Sequence, residues 1–434
     1  MRVLLSVIAA ALLLPALGAE PEQDKAAAGD ILFPARPPRL MPYLHGLLLP
    51  DSGADAPARD ADALTLSAHA LKQGLARIGW HHESSLRLGG ALLRPDPPGQ
   101  RSRFVSTDNS VLAKWFLLKD TRERHGLFLS CEADWGQGFH FSERRESVRH
   151  SLGALSQPQD SLRGGNGLFL PELALETTLC SGRYLAMVGS LNAANYLDRN
   201  RYAPYRNGNL LNSSLRTNPC LPLLWGNWGY LTAWQPNQRL YTLYATTGSN
   251  GRINHNPLRC INSRYWVHIG EFGYLYTELP GLGPGIARLQ YVATRHAGSS
   301  GHGVALNLEQ QLGHRSGTGI FIRSGINDRD AAAASRTRAA LTVGASFPAQ
   351  QLCTDNTRTA PAGNRLAAGF LWQSATADEE SATYRHEYGV ELSAFWQLTP
   401  TLYLQPDLQY IVHPARNAGR KGAWVWQLQA VLSF

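Results

Sequence analysis

An alternation of apolar and polar residues with period two runs to the last residue of this chain, and it constrains the fold more than any other feature. In the final segment Trp424, Trp426, Leu428, Ala430, Leu432 and Phe434 share one face, opposed by Val425, Gln427, Gln429, Val431 and Ser433. Leu402, Leu404, Leu408 and Tyr410 repeat it against Tyr403, Gln405, Asp407 and Gln409, as do Val304, Leu306 and Leu308 against Ala305, Asn307 and Glu309. Side chains alternate across a strand, so each segment is a strand with one apolar and one polar face. A soluble sandwich gives the same pattern. Three features favour a membrane barrel instead. The segments run about 9–13 residues, suited to a tilted crossing. Aromatic residues such as Trp372, Trp396, Trp424 and Tyr410 gather near strand ends on the apolar face, as an interfacial girdle requires. The chain also stops on an amphipathic strand whose terminal aromatic, Phe434, reads as an assembly signal for outer-membrane barrels.

Strands are expected near 77–88, 111–119, 126–135, 167–179, 183–191, 227–234, 238–247, 264–276, 285–296, 302–313, 318–325, 336–347, 364–376, 384–398, 401–412 and 423–434. The fold class is therefore all-β: a transmembrane antiparallel barrel of sixteen strands, an even number that puts both ends in the periplasm. Short turns then fall inside and the long connections 136–166 and 192–226 outside. A bulge is expected at Gly270-Glu271, where the apolar parity switches, and an irregularity at Pro406, which has no N–H for the ladder.

Composition agrees. Of 434 residues 17% are charged and 44% apolar, with 41 Lys+Arg against 33 Asp+Glu and a formal charge of +8. The charged fraction is low beside the roughly 25% of soluble domains. Past the N-terminus no stretch approaches the roughly 20 apolar residues of a spanning helix. Residues 1–19 read as a secretory signal peptide: Arg2, the apolar run Val3–Leu14, then Pro15 and small residues. Residues 20–63 form a Pro/Ala-rich periplasmic arm, a short helix is expected over 64–75, and the barrel domain occupies 64–434. Cys131, Cys180, Cys220, Cys260 and Cys353 are odd in number. Cys220 and Cys260 lie in consecutive outer loops and are the expected disulfide.

Function follows from the lumen. Parity places Arg323, Glu309, Glu391 and Asp407 inside. The loop 136–166, carrying Arg144, Arg145 and Arg149, is long enough to fold inward and narrow the channel. Glu391 and Asp407 sit close across a short turn, so an arginine from a loop is expected to reach them. Arginines opposed by carboxylates suit solutes with several hydroxyls. A basic pore for anionic solutes, such as sugar acids or phosphorylated compounds, is the alternative. No GxSxG, HExxH or Walker motif occurs, so neither catalysis, a cofactor nor a metal site is expected, and nothing points to nucleic acid.

The stretch Glu387–Pro414, EYGVELSAFWQLTPTLYLQPDLQYIVHP, resembles the carbohydrate-selective porins of the OprB type, as do Glu172–Thr178 followed by Arg183–Arg201 and the stretch Asn227–Gly248; the resemblance covers about 167–434 and is weak before residue 120. The Trp-Gly-Gly segment common near the mature N-terminus of that family is absent. The resemblance implies a sixteen-stranded outer-membrane barrel, passive sugar-preferring diffusion of mono- or oligosaccharides, and contacts with lipid and the barrel-assembly machinery.

Overall fold

The computed structural model describes residues 63–96, 102–119, 126–139, 148–158, 167–180, 183–205, 209–223, 225–249, 265–276, 281–296, 299–313, 318–349, 364–376, 385–399, 401–417 and 419–433. The signal peptide, nearly all of the arm, Arg144, Arg145, Cys260 and Phe434 lie outside the described residues. Helix α1 (Ala63–Ala76) leads into sixteen strands. These are β1 (Trp80–Arg94), β2 (Arg103–Lys119), β3 (Gly126–Phe139), β4 (Gly167–Leu179), β5 (Tyr184–Asn192), β6 (Trp225–Trp234), β7 (Leu240–Ser249) and β8 (Tyr265–Tyr276), followed by β9 (Gly285–His296), β10 (Ser299–Gln311), β11 (Gly319–Asn327), β12 (Thr337–Pro348), β13 (Arg365–Ala375), β14 (His386–Gln397), β15 (Leu402–Val412) and β16 (Gly422–Ser433). Short helices α2 (Val148–Leu152), α3 (Ser213–Arg216) and α4 (Arg329–Ser335) lie in the connections.

Each strand pairs antiparallel with its sequence neighbours, and β1 pairs with β16, so the barrel is closed and has no free edge. All sixteen expected strands are present. Val390, Leu392, Trp424, Trp426 and Leu428 are exposed on the outward face, the arrangement of a protein whose solvent there is lipid. A cation on that face loses its hydration, so Val390→Arg, near the middle of β14, should destabilise the barrel by about 2–4 kcal/mol. Denaturant titration in lipid vesicles measures this, and an effect below about 1 kcal/mol would place Val390 outside the hydrocarbon.

Two local expectations fare differently. No bulge occurs at Gly270-Glu271: β8 holds one register with β7 and with β9 throughout. The apolar parity switches because Val267, Ile269 and Leu275 point inward and join a buried apolar cluster with Leu191, Tyr196, Leu197 and Leu221. An inward loop, not an extra residue, explains the change. At Pro406 the irregularity is found: the β14–β15 ladder lapses between the pairs Ser393↔Asp407 and Trp396↔Leu404.

Candidate functional site

The lumen is occupied by two inward segments. The main one is residues 192–223, between β5 and β6. An irregular segment inside a barrel must satisfy its backbone and polar groups without a ladder, and asparagines here provide the partners. Asn195 donates to Glu132 (Nδ2 to Oε2, 2.7 Å), Asn200 to Asn307 (2.8 Å) and Asn209 to Ser346 (2.8 Å). Asn212 donates to Gln409 (3.1 Å) and Asn218 to the carbonyl of Ser324 (2.9 Å). Between them Leu197, Leu210, Leu215 and Leu221 are buried. Glycines of the wall make room: a Cβ on Gly319 would fall 1.9 Å from the Tyr202 ring, and one on Gly369 2.6 Å from Leu215.

Wall carboxylates pin this segment by its backbone. Glu271 accepts from the N–H of Asp198 (2.9 Å), Glu309 from that of Arg201 (2.7 Å), and Glu391 from those of Leu211 and Asn212. Glu172 accepts from the Tyr196 hydroxyl (2.7 Å). Arg323 supplies the opposite charge. Its Nε lies 3.0 Å from Asp198 Oδ2, Nη1 donates to the Leu215 carbonyl (2.7 Å), and Nη2 to those of Asp198 and Ala203 (both 3.1 Å). Arg288 beside it donates from Nε to the Tyr241 hydroxyl (3.0 Å), with Nη2 3.5 Å from Glu309. Both guanidiniums are fully buried (0% exposed).

The second inward segment is 148–158, part of the arginine-bearing connection. Glu387 accepts from the N–H groups of Leu155 (2.7 Å) and Ser156 (2.8 Å), and Gln409 and Gln427 both donate to the Pro158 carbonyl (2.9 Å). Helix α2 buries Val148 and Leu152 against Leu93, Phe104, Ile411 and Val425. Arg149 is half-buried with its Nε on the Ala154 carbonyl (3.3 Å). Burial, then the like charges of Arg336 and Arg416, pushes its guanidinium down to about 10.

These placements correct several expectations. Arg323, Glu309, Glu391 and Asp407 do face inward and are buried; the first three anchor the main inward segment, whereas Asp407 bonds to the wall. The principal inward loop is 192–223, with 148–158 second. The arginine near Glu391 is Arg216, from the main loop. Asp407 accepts instead from Gln409 (2.8 Å) and Gln427 (2.9 Å).

Cys220 is a free cysteine, 1% exposed and packed against Gly325 of β11, while Cys260, its expected disulfide partner, lies outside the described residues. Burial pushes the Cys220 thiol up to about 12. Thiolate is the reacting form, so in folded protein an impermeant maleimide should label Cys180, which is exposed at a turn, and spare Cys220. Fast labelling of Cys220, read by peptide mapping, would show that the loop leaves the wall.

Other inward side chains stay part-exposed. Arg199 and Arg201 lie on the main loop, with Glu83 and Arg87 on β1, Arg365 on β13, Phe395 on β14 and Tyr403 on β15. Arg199 is within electrostatic reach of Glu83, and Arg365 of Arg201 and Tyr202. Several inward cations and a carboxylate thus keep part of their surface exposed.

A closed sixteen-stranded barrel, apolar outside and narrowed by loops pinned within, is the fold of an outer-membrane porin. Residues 260–434 match the family model of the carbohydrate-selective porins, OprB family, so the resemblance carried by Glu387–Pro414 is borne out. The high-pH structure of Pseudomonas putida OprB is similar over 86% of this chain and 99% of that one, with 15% identity and a TM-score of 0.66. The low-pH structure of the same protein gives 14% identity and a TM-score of 0.51, over 86% and 98% of the two chains. No curated protein sequence matches the chain.

Proposed function

We propose that this protein is a passive, carbohydrate-selective diffusion channel of the outer membrane, with no chemical turnover. The family match over 260–434 supports the substrate class. The observation that carries the mechanism is the contrast inside the lumen: most inward charges are buried and satisfied by loop backbone, while Arg199, Arg201, Arg365 and Glu83 remain part-exposed. Guanidinium donors opposed by a carboxylate acceptor engage several hydroxyls of one neutral solute at once. Each exposed hydrogen bond contributes only about 0.5–1.5 kcal/mol net, so the solute is recognised and still leaves. Arg323, Glu309 and Glu391 act on permeability by fixing where the loop edge stands, and Asp407 by orienting Gln409 and Gln427, which hold the second inward segment at Pro158. Arg149 adds positive charge beside the second inward segment.

Three arginines against one glutamate also give the alternative its basis, since a net positive constriction attracts anionic solutes. One measurement separates the two. Single channels in a planar bilayer under a salt gradient should show modest ion selectivity and concentration-dependent closure by neutral sugars. Strong anion selectivity without sugar block would establish the basic-pore alternative. Arg201→Ala should weaken sugar block several-fold with the barrel still assembled.

The address is tested separately. Phe434→Ser should sharply lower the amount of folded barrel in the outer membrane, read by heat-modifiable migration. Wild-type assembly of that variant would remove Phe434 from the signal.

A further inference from the structure

The inward segments cover much of the wall, but they leave a row of side chains from β13 to β1 in part contact with water. Strand register fixes the row. Arg365 of β13 stands directly opposite Phe395 of β14. Phe395 and Tyr403 of β15 meet diagonally, their ring centroids 4.7 Å apart and their planes at 32°. Tyr403 stands opposite Val431 of β16, and Val431 opposite Arg87 of β1. Parity puts all five inside: Phe395 follows Glu387, Glu391 and Ser393, and Tyr403 precedes Gln405, Asp407 and Gln409.

The two rings present apolar surface on a polar stretch of the inner wall. Many of the described apolar side chains face lipid or are covered by the inward segments. Here a Phe–Tyr pair stays part-exposed on a wall whose neighbouring inward positions are Gln405, Asp407 and Gln429. Apolar surface held in water is unfavourable, and a ligand that covers it gains by doing so. The row also adjoins the loop edge, since Arg365 lies within electrostatic reach of Arg201 and Tyr202.

We propose that Phe395 and Tyr403 form a stacking subsite for a pyranose ring on the periplasmic half of the water path, with Arg365 and Arg87 donating to its hydroxyls at either end. The subsite rests on the sugar-channel reading and adds to it a preference for cyclic sugars. A pyranose presents a face of C–H bonds, whose positive edge suits the negative face of an aromatic ring. Its hydroxyls project sideways, toward the flanking guanidiniums. An acyclic polyol carries the same hydroxyls but no such face, so it gains from the arginines alone.

The test compares block of single-channel current by a methyl pyranoside and by an acyclic hexitol, in the native channel and in variants. Native channels should be blocked more tightly by the pyranoside. Phe395→Leu combined with Tyr403→Leu keeps bulk and removes both π faces. It should raise the apparent dissociation constant for the pyranoside about tenfold and leave that for the hexitol within about twofold. Tyr403→Phe keeps the ring and should match the native channel. Either single leucine variant serves if the pair does not assemble, with a smaller loss in the same direction. Unchanged pyranoside block in an assembled leucine variant, or equal block by both solutes in the native channel, overturns the subsite while leaving a sugar channel. A native channel blocked by neither solute overturns the sugar-channel reading as well.

Discussion

Arg323→Ala should free the main inward loop from the wall while leaving the barrel closed. The guanidinium ties together three separated points of the loop, the carbonyls of Asp198, Ala203 and Leu215, and pairs with the Asp198 carboxylate at 3.0 Å. Truncation removes all four interactions and leaves Asp198 buried with a charge whose remaining donors are the Asn218 N–H, Asn307 and Gln290. Breaking a buried pair by deleting one partner costs about 3–5 kcal/mol. The barrel itself stands on sixteen inter-strand ladders that Arg323 does not supply. The loss therefore falls on the loop. Conductance should rise, open-channel noise should grow, and sugar block should weaken at least as much as in Arg201→Ala, with unchanged heat-modifiable migration. Arg323→Lys keeps the charge but not the planar fork and should fall between. Adding Asp198→Asn to Arg323→Ala should recover part of the loss, because it removes the uncompensated carboxylate. Native conductance and block in Arg323→Ala would mean that the loop is held without it.

The strands were legible in the sequence because lipid constrains their outer face residue by residue, as in β14 with Tyr388, Val390 and Leu392. Where that constraint lapses, legibility lapses. The sequence places the first two strands at 77–88 and 111–119, whereas β1 runs on to Arg94 and β2 starts at Arg103. The missing parts contain Gly89-Gly90 and the polar run Ser106–Ser110, which show no apolar alternation. The inner face follows no comparable rule, since what it meets depends on tertiary structure. Charges at 309, 323, 391 and 407 read from parity as pore lining, and only the folded loop shows that the first three anchor it. Arginine content directed attention to 136–166. The better signal lay in 192–226, where leucines, tyrosines and asparagines replace the charged residues expected of a loop in water. Such a composition suits a segment that must bury its side chains and satisfy its own backbone.

The root of that loop rests on a second buried charge cluster, and Lys114→Met should disrupt it. Lys114 of β2 donates to both oxygens of Glu176 of β4, at 2.8 and 2.6 Å, with the two side chains 5% and 0% exposed. Glu172, four residues before Glu176 on β4, lies directly opposite Glu132 of β3 and within electrostatic reach of Lys114. Those two carboxylates hold the start of the loop: Glu132 accepts from Asn192 and Asn195, and Glu172 from Tyr196. Three buried acids facing one another are tolerable only while a cation sits among them, because like charges in a medium of low dielectric repel strongly. Methionine fills the space of the lysine stem without its charge, so the variant tests electrostatics and not packing. The expected loss is about 3–5 kcal/mol, larger than for an exposed pair because neither partner can turn to water. Heat-modifiable migration should shift to a lower temperature, and the channel should carry the raised conductance of an unrooted loop. Glu176→Gln in the Lys114→Met background should restore much of both, since a neutral amide can stay buried beside a thioether. If the double variant is no better than the single, the loss does not come from the uncompensated Glu176 carboxylate and the charge cluster does not secure the loop.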